Sequence, residues 1–507
     1  TLPEPFERAD HTIVLSDVHL CDAEEPDPAR PLWKRFKQRD LFIDATFGRF
    51  LDHVREIAQG PVELIFNGDL FDFDAVTVVP DPAPFPISQL ERLRGLAPEE
   101  AKSGWKIRRI LGDHAAWFAA VGDFVRGGNR LVFTIGNHDL ELHWPSVQEA
   151  VIEALELGPT DRERVRFCEL HYVSNGDTLV QHGNQFDAYC LCADPLHPLV
   201  KPGERPRLRK PFGDLAGRLM LNGMGLFNPY AEESFIRSAR EYLVFFYRYI
   251  LRIQPLLLLT WFWSATATLV LSLREGFLPA IIDPLALEER VQDVSRRANS
   301  SPAATRSLLA LSVHPAIYSP WKVARELWLD RALLLIAAAF LSFQGVSTVN
   351  VFVRTSPLWA ILAFVILLGP VVFYARGVNS DVTNTERGIQ LRLKSVARAA
   401  GVERVILGHT HRERHTGLGG IELINTGTWS PAYHDVECTR PSGRKCFAWI
   451  RPDAGGGPRV AELRLWQDPG STVFRPDPPP RPLLPRLRKG TTPGMTVEEF
   501  SVGGDEA

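Results

Sequence analysis

The amino-acid sequence predicts a layered α/β fold that is interrupted by a hydrophobic helical insertion. Short apolar runs alternate with segments of helical periodicity over positions 11–200, which is typical of α/β and α/β/α layered domains. The same alternation resumes after position 385. Between these two halves lie three uncharged stretches, each long enough for an apolar helix to cross a bilayer, which takes about 20 residues.

Four apolar runs in the first half are predicted to be strands because they are short and bounded by polar residues. Each run ends in a polar motif: TIVLSD, VELIFNGD, RLVFTIGNHD and DTLVQHGNQFD. The segments DATFGRFLDHVREIAQ and WPSVQEAVIEAL carry apolar residues at helical spacing and are predicted to be helices. A longer insertion separates the second run from the third.

The second half starts with TERGIQLRLKSVARAAG, which predicts a helix that ends at a glycine in the left-handed conformation. A strand leading into VILGHTH follows, and GIELINTGTW, KCFAWIRP and RVAELRLW are predicted to be further strands. The AGGG segment at 454–457 predicts a hairpin turn between the last two strands. The proline-rich, basic end of the chain predicts a disordered tail over 471–507.

The three uncharged stretches cover 253–273, 332–353 and 355–375, and they have Trp or Tyr near their ends. Such aromatic residues are enriched where a membrane helix meets water. Membrane association is therefore expected, against the alternative of buried core helices in a large soluble domain. The predicted division of the chain is 1–229 and 381–470 for the α/β domain, 230–380 for the insertion, as a membrane anchor or a lid, and 471–507 for the tail.

The number of membrane crossings must be even if both α/β halves share one compartment. With three stretches, either one is re-entrant or buried, or the less apolar segment 277–287 also enters the membrane. A hairpin within one leaflet is a further alternative. Basic residues flank the apolar stretches and favour the cytoplasmic face of the cell membrane for both halves. These residues are Arg237, Arg240, Arg248, Arg252 and Arg376.

Composition narrows the class of partner. The chain has 507 residues and a formal net charge of −3, so no strong field indicates a nucleic-acid partner. Its six cysteines show no zinc-ligand spacing and are expected to be reduced. The polar start, TLPEPFERAD, has no apolar core, so no signal peptide is expected.

Candidate metal ligands lie at the ends of the predicted strands, where open α/β sheets place their ligands. In VILGHTH, the side chains of His409 and His411 point the same way if the backbone is extended, because side chains alternate along a strand. Asp17 and His19 have the same spacing. Seven donors are too many for one tetrahedral site and suit two ions that share a carboxylate. The candidates are Asp17, His19, Asp69, Asn137, His182, His409 and His411.

The order D-x-H, GD, GNHD, H and GHTH resembles the calcineurin-like metallophosphoesterase superfamily, over positions 11–190 and 385–467. The resemblance implies a layered α/β/β/α metallophosphoesterase sandwich with two divalent metal ions, Mn²⁺ foremost and Fe or Zn²⁺ as alternatives. It implies that Asp69 bridges the two ions. It assigns Asp17, His19 and His411 to the first ion and Asn137, His182 and His409 to the second.

The resemblance also implies an enzyme that hydrolyses a phosphoester or pyrophosphate bond, by attack of a metal-bridging hydroxide on phosphorus. His138 would donate a proton or a hydrogen bond to the leaving group, and Asp139 would orient the His138 ring. For Asp139, a purely structural role in its loop is the alternative.

Other polar residues near the motifs are not assigned to the site. Asp72 and Asp74 follow the bridging carboxylate and are left out as solvated or supporting acids. Arg412 and Arg414 either contact a phosphate or are surface charges. The remaining candidates are treated as ordinary histidines, and the CLC segment as packing: His53, His143, His171, His197, His415, Cys190 and Cys192.

The contexts SDVHL, GDLFD and GHTHRE are similar to a branch that contains the UDP-2,3-diacylglucosamine hydrolases. Those enzymes work at the cytoplasmic membrane face and clamp acyl chains with a helical insertion between the fourth and fifth motifs. The similarity implies a lipid-linked phosphoester substrate, although the branch has arginine where this chain has His138. The alternatives are a phosphatase or phosphodiesterase for a soluble nucleotide or phosphoprotein, merely anchored by the insertion, and a non-catalytic membrane binding or sensor module.

Overall fold

Two β-sheets, with helices on their outer faces, make up the fold of this protein. The computed structural model describes residues 6, 8–58, 60–231, 244, 246–251, 254–281, 284–377 and 385–475. The strands are β1 (His11–Leu15), β2 (Val62–Asn67), β3 (Arg130–Thr134), β4 (Val165–Cys168), β5 (Tyr172–Ser174), β6 (Thr178–Val180), β7 (Leu199–Val200), β8 (Arg207–Leu208), β9 (Arg404–Leu407), β10 (Arg414–Leu418), β11 (Ile421–Asn425), β12 (Cys446–Arg451), β13 (Val460–Gln467) and β14 (Gly470–Val473).

The larger sheet has the strand order β14-β13-β12-β1-β2-β3-β4. Strands β1 to β4 run parallel, and β12, β13 and β14 continue the sheet in antiparallel pairs. The smaller sheet has the order β10-β11-β9-β6-β5. Its central strands β6, β9 and β11 are parallel, and β5 and β10 are antiparallel edges. Strands β7 and β8 form a separate two-stranded ribbon.

The helices alternate with the strands in the first half and dominate the middle of the chain. They are α1 (Asp44–Ala58), α2 (Gln89–Arg94), α3 (Glu100–Asp113), α4 (Ala115–Arg126), α5 (Pro145–Ala154), α6 (Pro159–Arg162), α7 (Phe212–Leu219), α8 (Leu257–Phe277), α9 (Pro284–Arg297), α10 (Pro302–Ala310), α11 (Pro320–Glu326), α12 (Leu329–Phe352), α13 (Leu358–Gly377) and α14 (Thr385–Ala400).

Alternation of side chains along the strands explains the layer order. Val14 of β1 and Ile406 of β9 belong to one buried cluster, so the two sheets pack face to face. The neighbouring Leu15 points the other way, into a cluster with Phe47 of α1 and residues of α3, α4 and α5. On the smaller sheet, Val405 points outward into a cluster with residues of α9, α10 and α14. The layers are therefore helices, sheet, sheet and helices.

The predicted mixed α/β class with parallel strands is confirmed, and each apolar run predicted as a strand contains one. The helix predicted from TERGIQ ends as expected, at Gly401 with a φ of 71°. The 454–457 turn joins β12 and β13, the two strands that it was predicted to connect, into an antiparallel pair. Strand β14, which pairs with β13, was not predicted. The segment predicted as a tail, 471–507, therefore begins inside a strand, and 476–507 lies outside the described residues.

The segment predicted as one hydrophobic insertion, 230–380, consists of two kinds of structure. Its helices α9 and α10 supply Val291, Val294 and Leu308 to the core of the smaller sheet, so they belong to the α/β body. The segment 277–287, named above as a possible membrane segment, includes the end of α8 at Phe277 and the first residues of α9. Helices α8, α12 and α13 are each long and apolar enough to cross a membrane, as predicted for the three uncharged stretches.

Substitutions at Ile406 test how much the contact between the two sheets contributes to the free energy of unfolding. Its side chain is fully buried between the sheets. We expect Ile406→Val to lower the free energy of unfolding by about 0.5–1.5 kcal/mol and Ile406→Ala by about 2–5 kcal/mol, because the second leaves the larger cavity. Denaturant titration in detergent measures both. Leu391→Ala, at an exposed position on α14, is the control and should change stability little. Equal effects of the two Ala variants would contradict the packing described.

Candidate metal centre

The predicted ligands follow five parallel strands whose carboxyl ends meet at one edge of the two sheets. The structure brings six of them into overlapping groups whose potential ligand atoms lie within 4.8 Å of one another. One group is Asp17, His19 and His411, and a second is Asp69, His182 and His409. The seventh, Asn137, precedes His138, whose backbone N–H donates to Asp69 Oδ1 at 2.8 Å. All seven predicted ligands therefore lie around one site.

The loops that carry the ligands are tied to one another by backbone hydrogen bonds. Asp17 N–H donates to the Gly68 carbonyl at 3.2 Å, and His19 N–H donates to the Asp69 carbonyl at 3.0 Å. From the other end of the chain, His409 N–H donates to Asp17 Oδ2 at 3.0 Å. These bonds fix the loop after β1 against the loops after β2 and β9.

Five of the candidate ligands have a left-handed backbone, which is uncommon for residues other than glycine. Such strained conformations cluster at functional sites and cost on the order of 1–3 kcal/mol each, so the surrounding structure must impose them. Five strained residues in these loops indicate that the fold holds the side chains in place at a cost in local backbone stability. The φ angles are 55° at Asp17, 54° at His19, 52° at Asp69, 66° at His409 and 53° at His411.

The first group is arranged around the Nε2 atom of His411. This atom lies 3.2 Å from Asp17 Oδ1 and 3.3 Å from His19 Nε2. The opposite ring atom, Nδ1, is 3.2 Å from the Tyr230 carbonyl, which can only accept a hydrogen bond. Nδ1 therefore carries the proton, and the lone pair of Nε2 faces the other two donors, as a metal ligand requires.

In the second group, too, a backbone carbonyl fixes the orientation of a histidine ring. His182 Nδ1 donates to the Asn67 carbonyl at 2.9 Å, so its Nε2 faces Asp69 Oδ2 at 3.1 Å. The same Asp69 oxygen lies 4.0 Å from His19 Nε2 in the first group. Asp69 therefore stands between the two groups. His409 Nε2 lies 3.1 Å from Asp187 Oδ2, which leaves the Nδ1 atom of His409 for the site.

Asn137 presents an oxygen to the site. Its amide Nδ2 donates to Asp214 Oδ1 at 3.2 Å, which distinguishes the nitrogen end of the side chain from the oxygen end. Its Oδ1 is buried and has no hydrogen-bond partner among the described residues. A buried carbonyl oxygen without a partner costs about 1–3 kcal/mol, and at this position the oxygen is available to a metal ion.

Two glycines allow the carboxylates to approach the neighbouring backbone. A Cβ atom at Gly136 would lie 2.2 Å from Asp69 Oδ1 and 2.6 Å from Asp69 N. A Cβ atom at Gly408 would lie 2.5 Å from Asp17 Oδ2. The glycines of the GNHD and GHTH motifs are therefore required by close packing against the two carboxylates.

Charges in the protein balance these buried carboxylates. Burial acts to raise the pKa of Asp69, but His182 and His138 hold that pKa well below its usual value. Burial acts to lower the pKa of His182, yet Asp69 and Asp17 raise it to about 9. Burial lowers the pKa of His19 to about 3, so its ring is uncharged and has a lone pair that can bind a metal ion. Protons on imidazole thus compensate the carboxylates, and a bound cation would release them.

The side chains of His138 and Asp139 have different neighbours and do not face each other. The His138 side chain is 24% exposed, and its Nδ1 lies 3.5 Å from Asp72 Oδ1. Both Asp139 oxygens instead accept backbone N–H groups, from Gly136 at 2.7 Å and from Leu70 at 2.9 Å. Asp139 thus contacts the backbone of its own loop and of the loop after β2, and the carboxylate that lies near the His138 ring is that of Asp72.

Four supporting residues were not predicted as part of the site. Asp72 also accepts a hydrogen bond from Tyr230 Oη at 2.9 Å. Asp72 follows Asp69 by three residues and Asp187 follows His182 by five, so their proximity to the motifs was a usable signal. Tyr230 and Asp214 come from the segment after the fourth motif, where no sequence pattern marks them.

The other polar residues near the motifs have contacts outside the two groups. Arg414 pairs with Glu386 at 2.9 Å, and Arg412 lies 3.7 Å from the same carboxylate. Cys192 packs in the core of the larger sheet, as predicted, but Cys190 lies beside Asp187 and His409. All six cysteines lie in the described part of the chain, and none is paired there.

No family model matches the chain, and no curated protein matches it. The function therefore has to be argued from the site itself. Its buried histidine and aspartate groups can hold a metal ion.

Gly136 tests whether metal binding depends on the placement of Asp69. We expect Gly136→Ala to weaken Mn²⁺ binding by about 10–100-fold, because the new Cβ displaces the Asp69 carboxylate. Isothermal titration calorimetry on the purified full chain measures the affinity. Gly112→Ala is the matched control, since its Cβ meets no atom within 4 Å. Unchanged affinity in Gly136→Ala would show that Asp69 does not bind the ion.

Proposed function

We propose that this protein is a metal-dependent phosphoesterase of the calcineurin-like type, which binds two divalent cations and acts at a membrane. The observation that carries the proposal is that two groups of ligand atoms share one carboxylate. Asp69 Oδ2 lies 3.1 Å from His182 of one group and 4.0 Å from His19 of the other. A carboxylate between two sets of donors is the arrangement that a pair of cations requires.

The donor set fits first-row divalent cations. Carboxylate and amide oxygens are combined with imidazole nitrogens, which suits Mn²⁺, Fe or Zn²⁺. The ring orientations of His411 and His182 leave lone pairs toward the site, and Asn137 Oδ1 lacks a partner among the described residues. In this assignment Asp17, His19 and His411 hold one cation, Asn137, His182 and His409 hold the other, and Asp69 contacts both.

Two cations in such a site would acidify a water molecule, orient a phosphoryl group and stabilise negative charge that develops on phosphorus. The protein contributes rigid placement, because Asp187 and the Tyr230 carbonyl fix two of the imidazole rings. Burial acts to lower the pKa of His138, but Asp72 and Asp69 raise it well above its usual value. A protonated, partly exposed His138 is suited to donate to the leaving oxygen of the substrate.

A lipid-linked phosphoester is the substrate class that we propose first. Tyr230, whose carbonyl holds His411, ends a segment that packs Met224, Leu226 and Phe227 against Leu257 at the start of α8. The start of α8 thus packs against the segment that leads to Tyr230. The second candidate is a soluble nucleotide or phosphoprotein, with the apolar helices serving only as an anchor.

The cytoplasmic face is the proposed location of the α/β body. Arg248 and Arg376 lie next to apolar helices, and cytoplasmic flanks are enriched in such residues. Three further arginines of the predicted bias, Arg237, Arg240 and Arg252, lie outside the described residues.

Hydrolysis by detergent-purified full-length protein, with Mn²⁺ and after chelation, tests the proposed activity. We expect metal-dependent turnover, and a loss of at least about 100-fold in Asp69→Asn and His182→Ala, because each removes a ligand. Both variants should keep the circular dichroism of the wild-type protein. Asp52→Asn, an exposed carboxylate on α1, is the matched control. Turnover like that of the wild type in either ligand variant would overturn the assignment.

The same assay separates the two substrate classes. An aryl phosphate diester, an aryl phosphate monoester and a UDP-linked diacyl sugar are compared at equal concentration. A strong preference for the lipid-linked compound supports the first class. Activity on the small esters alone supports an anchored enzyme with a soluble substrate.

The proposed role of His138 as proton donor is tested by comparing substrates with different leaving groups. We expect His138→Gln to slow hydrolysis by about 10²–10⁴-fold for an alkyl ester, whose leaving oxygen needs a proton. A nitrophenyl ester, whose leaving group departs as an anion, should be slowed much less. His53→Gln, on α1 with its Nε2 2.8 Å from Ser471, is the control. An equal loss for both esters would show that His138 does not act as the proton donor.

A further inference from the structure

Helices α12 and α13 form a hairpin that packs along its own length. No residue of α13, all of which are described, is buried. Four residues of α12 are buried: Leu329 and Asp330 at its start, and Ala338 and Ser342 nearer its middle. The start of α12 is also where it meets α11 of the body, and α8 contacts α12 as well. Tyr374 near the end of α13 donates to Asp330 Oδ2 at 2.8 Å, which closes the base of the hairpin.

The hairpin has the length and the surface of two membrane spans. Its helices have 24 and 20 residues, or ~36 and ~30 Å, against a hydrocarbon core of about 30 Å. No charged residue occurs in 332–353 or 355–375. Large apolar side chains are exposed along both helices, including Leu333, Ile336, Phe340, Phe343, Ile361 and Phe373.

The two ends of the hairpin are polar. At the tip, Arg354, Thr355 and Ser356 connect the helices, and Asn350 Oδ1 accepts the Thr355 N–H at 2.8 Å. At the base, Trp321 and Trp328 are exposed. The guanidinium of Arg331 stacks over the Trp328 indole, 4.9 Å from the ring centre. Trp and Arg are typical of the level where a span leaves the bilayer.

Helix α8 differs, because the α/β body contacts it at its start, in its middle and in its last turn. At its start, Leu257 is buried with Met224 and Phe227. In the middle, Ala265 packs against Phe212 of α7. In its last turn, Glu275 forms an ion pair with Arg207 of β8. A span surrounded by lipid could not keep these contacts with charged and polar parts of the body.

The opposite face of α8 is apolar and exposed. It presents Leu258, Leu259, Phe262, Val270 and Phe277, the last with 85% of its surface exposed. The buried face is instead lined by the small or polar residues Ser264, Thr268 and Ser272. A helix with one apolar face outward and the other fixed to a protein surface fits the boundary of a bilayer.

We propose that the chain crosses the lipid bilayer twice, through the α12–α13 hairpin, and that α8 is not a third span but rests in the membrane interface with its outer face in lipid. Two crossings return the chain to the side from which it left. Both parts of the candidate metal centre then share one compartment, as the pairing of β6 with β9 requires. This topology does not depend on the proposed hydrolytic activity.

Labelling with a membrane-impermeant maleimide in sealed vesicles tests the topology of the full-length chain. The substituted positions are Leu256→Cys and Phe277→Cys at the ends of α8, Thr355→Cys at the hairpin tip and Ala454→Cys in the α/β body. Thr355 is half-buried, and the other three positions are exposed. Five of the native cysteines are buried and Cys190 is half-buried, so the wild-type protein sets the background.

We expect the two α8 positions to be labelled from the same side as Ala454→Cys, and Thr355→Cys only from the opposite side. Labelling of the two α8 ends from opposite sides would make α8 a span. Labelling of Thr355→Cys from the Ala454 side would show that the hairpin does not cross. Either result overturns the proposal, and so does a chain that stays in solution without detergent or lipid.

Depth measurements give an independent readout. A bimane fluorophore on Leu259→Cys of α8 should be quenched most by lipids that carry a nitroxide near the headgroup. The same fluorophore on Phe340→Cys, near the middle of α12, should be quenched most by a nitroxide deep in the acyl chains. Deep quenching at both positions would contradict the interfacial placement of α8. Unchanged elution in detergent shows that each variant remains folded.

Discussion

The placement of one buried carboxylate, Asp69, is the constraint on which the rest of the site depends. Its Oδ1 accepts the His138 N–H at 2.8 Å, and its Oδ2 faces His182 at 3.1 Å. A buried carboxylate must be compensated by hydrogen bonds and positive charge, or its desolvation destabilises the fold. The loops after β1, β3 and β6 supply this compensation. They must therefore meet at the end of β2, and this requirement explains the strained backbone of the ligand residues and the glycine at position 136.

The same requirement shapes the path of the chain. The second sheet places β9 beside β6 in parallel, so the GHTH loop completes a site whose other loops precede it by more than 200 residues. The chain between β6 and β9 must leave this edge of the sheet and return to it. Helices α9 and α10 use part of that path to cover the smaller sheet. The apolar hairpin occupies the part that leaves the body, and a hairpin returns the chain to its starting side without disturbing the β6–β9 pair.

Local patterns were sufficient to predict eight of the fourteen described strands and to select seven candidate ligands that lie around one site, because a strand end followed by Asp, Asn or His is visible in the sequence. They were insufficient where a contact joins distant segments. Asp139 is adjacent to His138, yet the ring faces Asp72 across the site. The three apolar stretches looked alike because all lack charges. Helix α8 differs from the other two because Ser264, Thr268 and Ser272 lie on one face, which is buried. The importance of this spacing becomes clear only from the packing of α8 against α7.

The contacts of α7 explain why the apolar segment and the metal centre cannot be treated as independent parts. Asp214 of α7 accepts from the Asn137 amide and also faces Lys210 at 3.4 Å, while Lys210 is held by Glu141 at 2.9 Å. The other side of α7 packs on α8. Removing residues 230–380 as a block would therefore uncover α7 and strip α9 and α10 from the smaller sheet, so lost activity would report damage to the fold. Of the three apolar helices, α12 and α13 have the fewest buried residues, so removing this hairpin would disturb the body least. Any effect of the membrane on the proposed activity is therefore best tested on the hairpin.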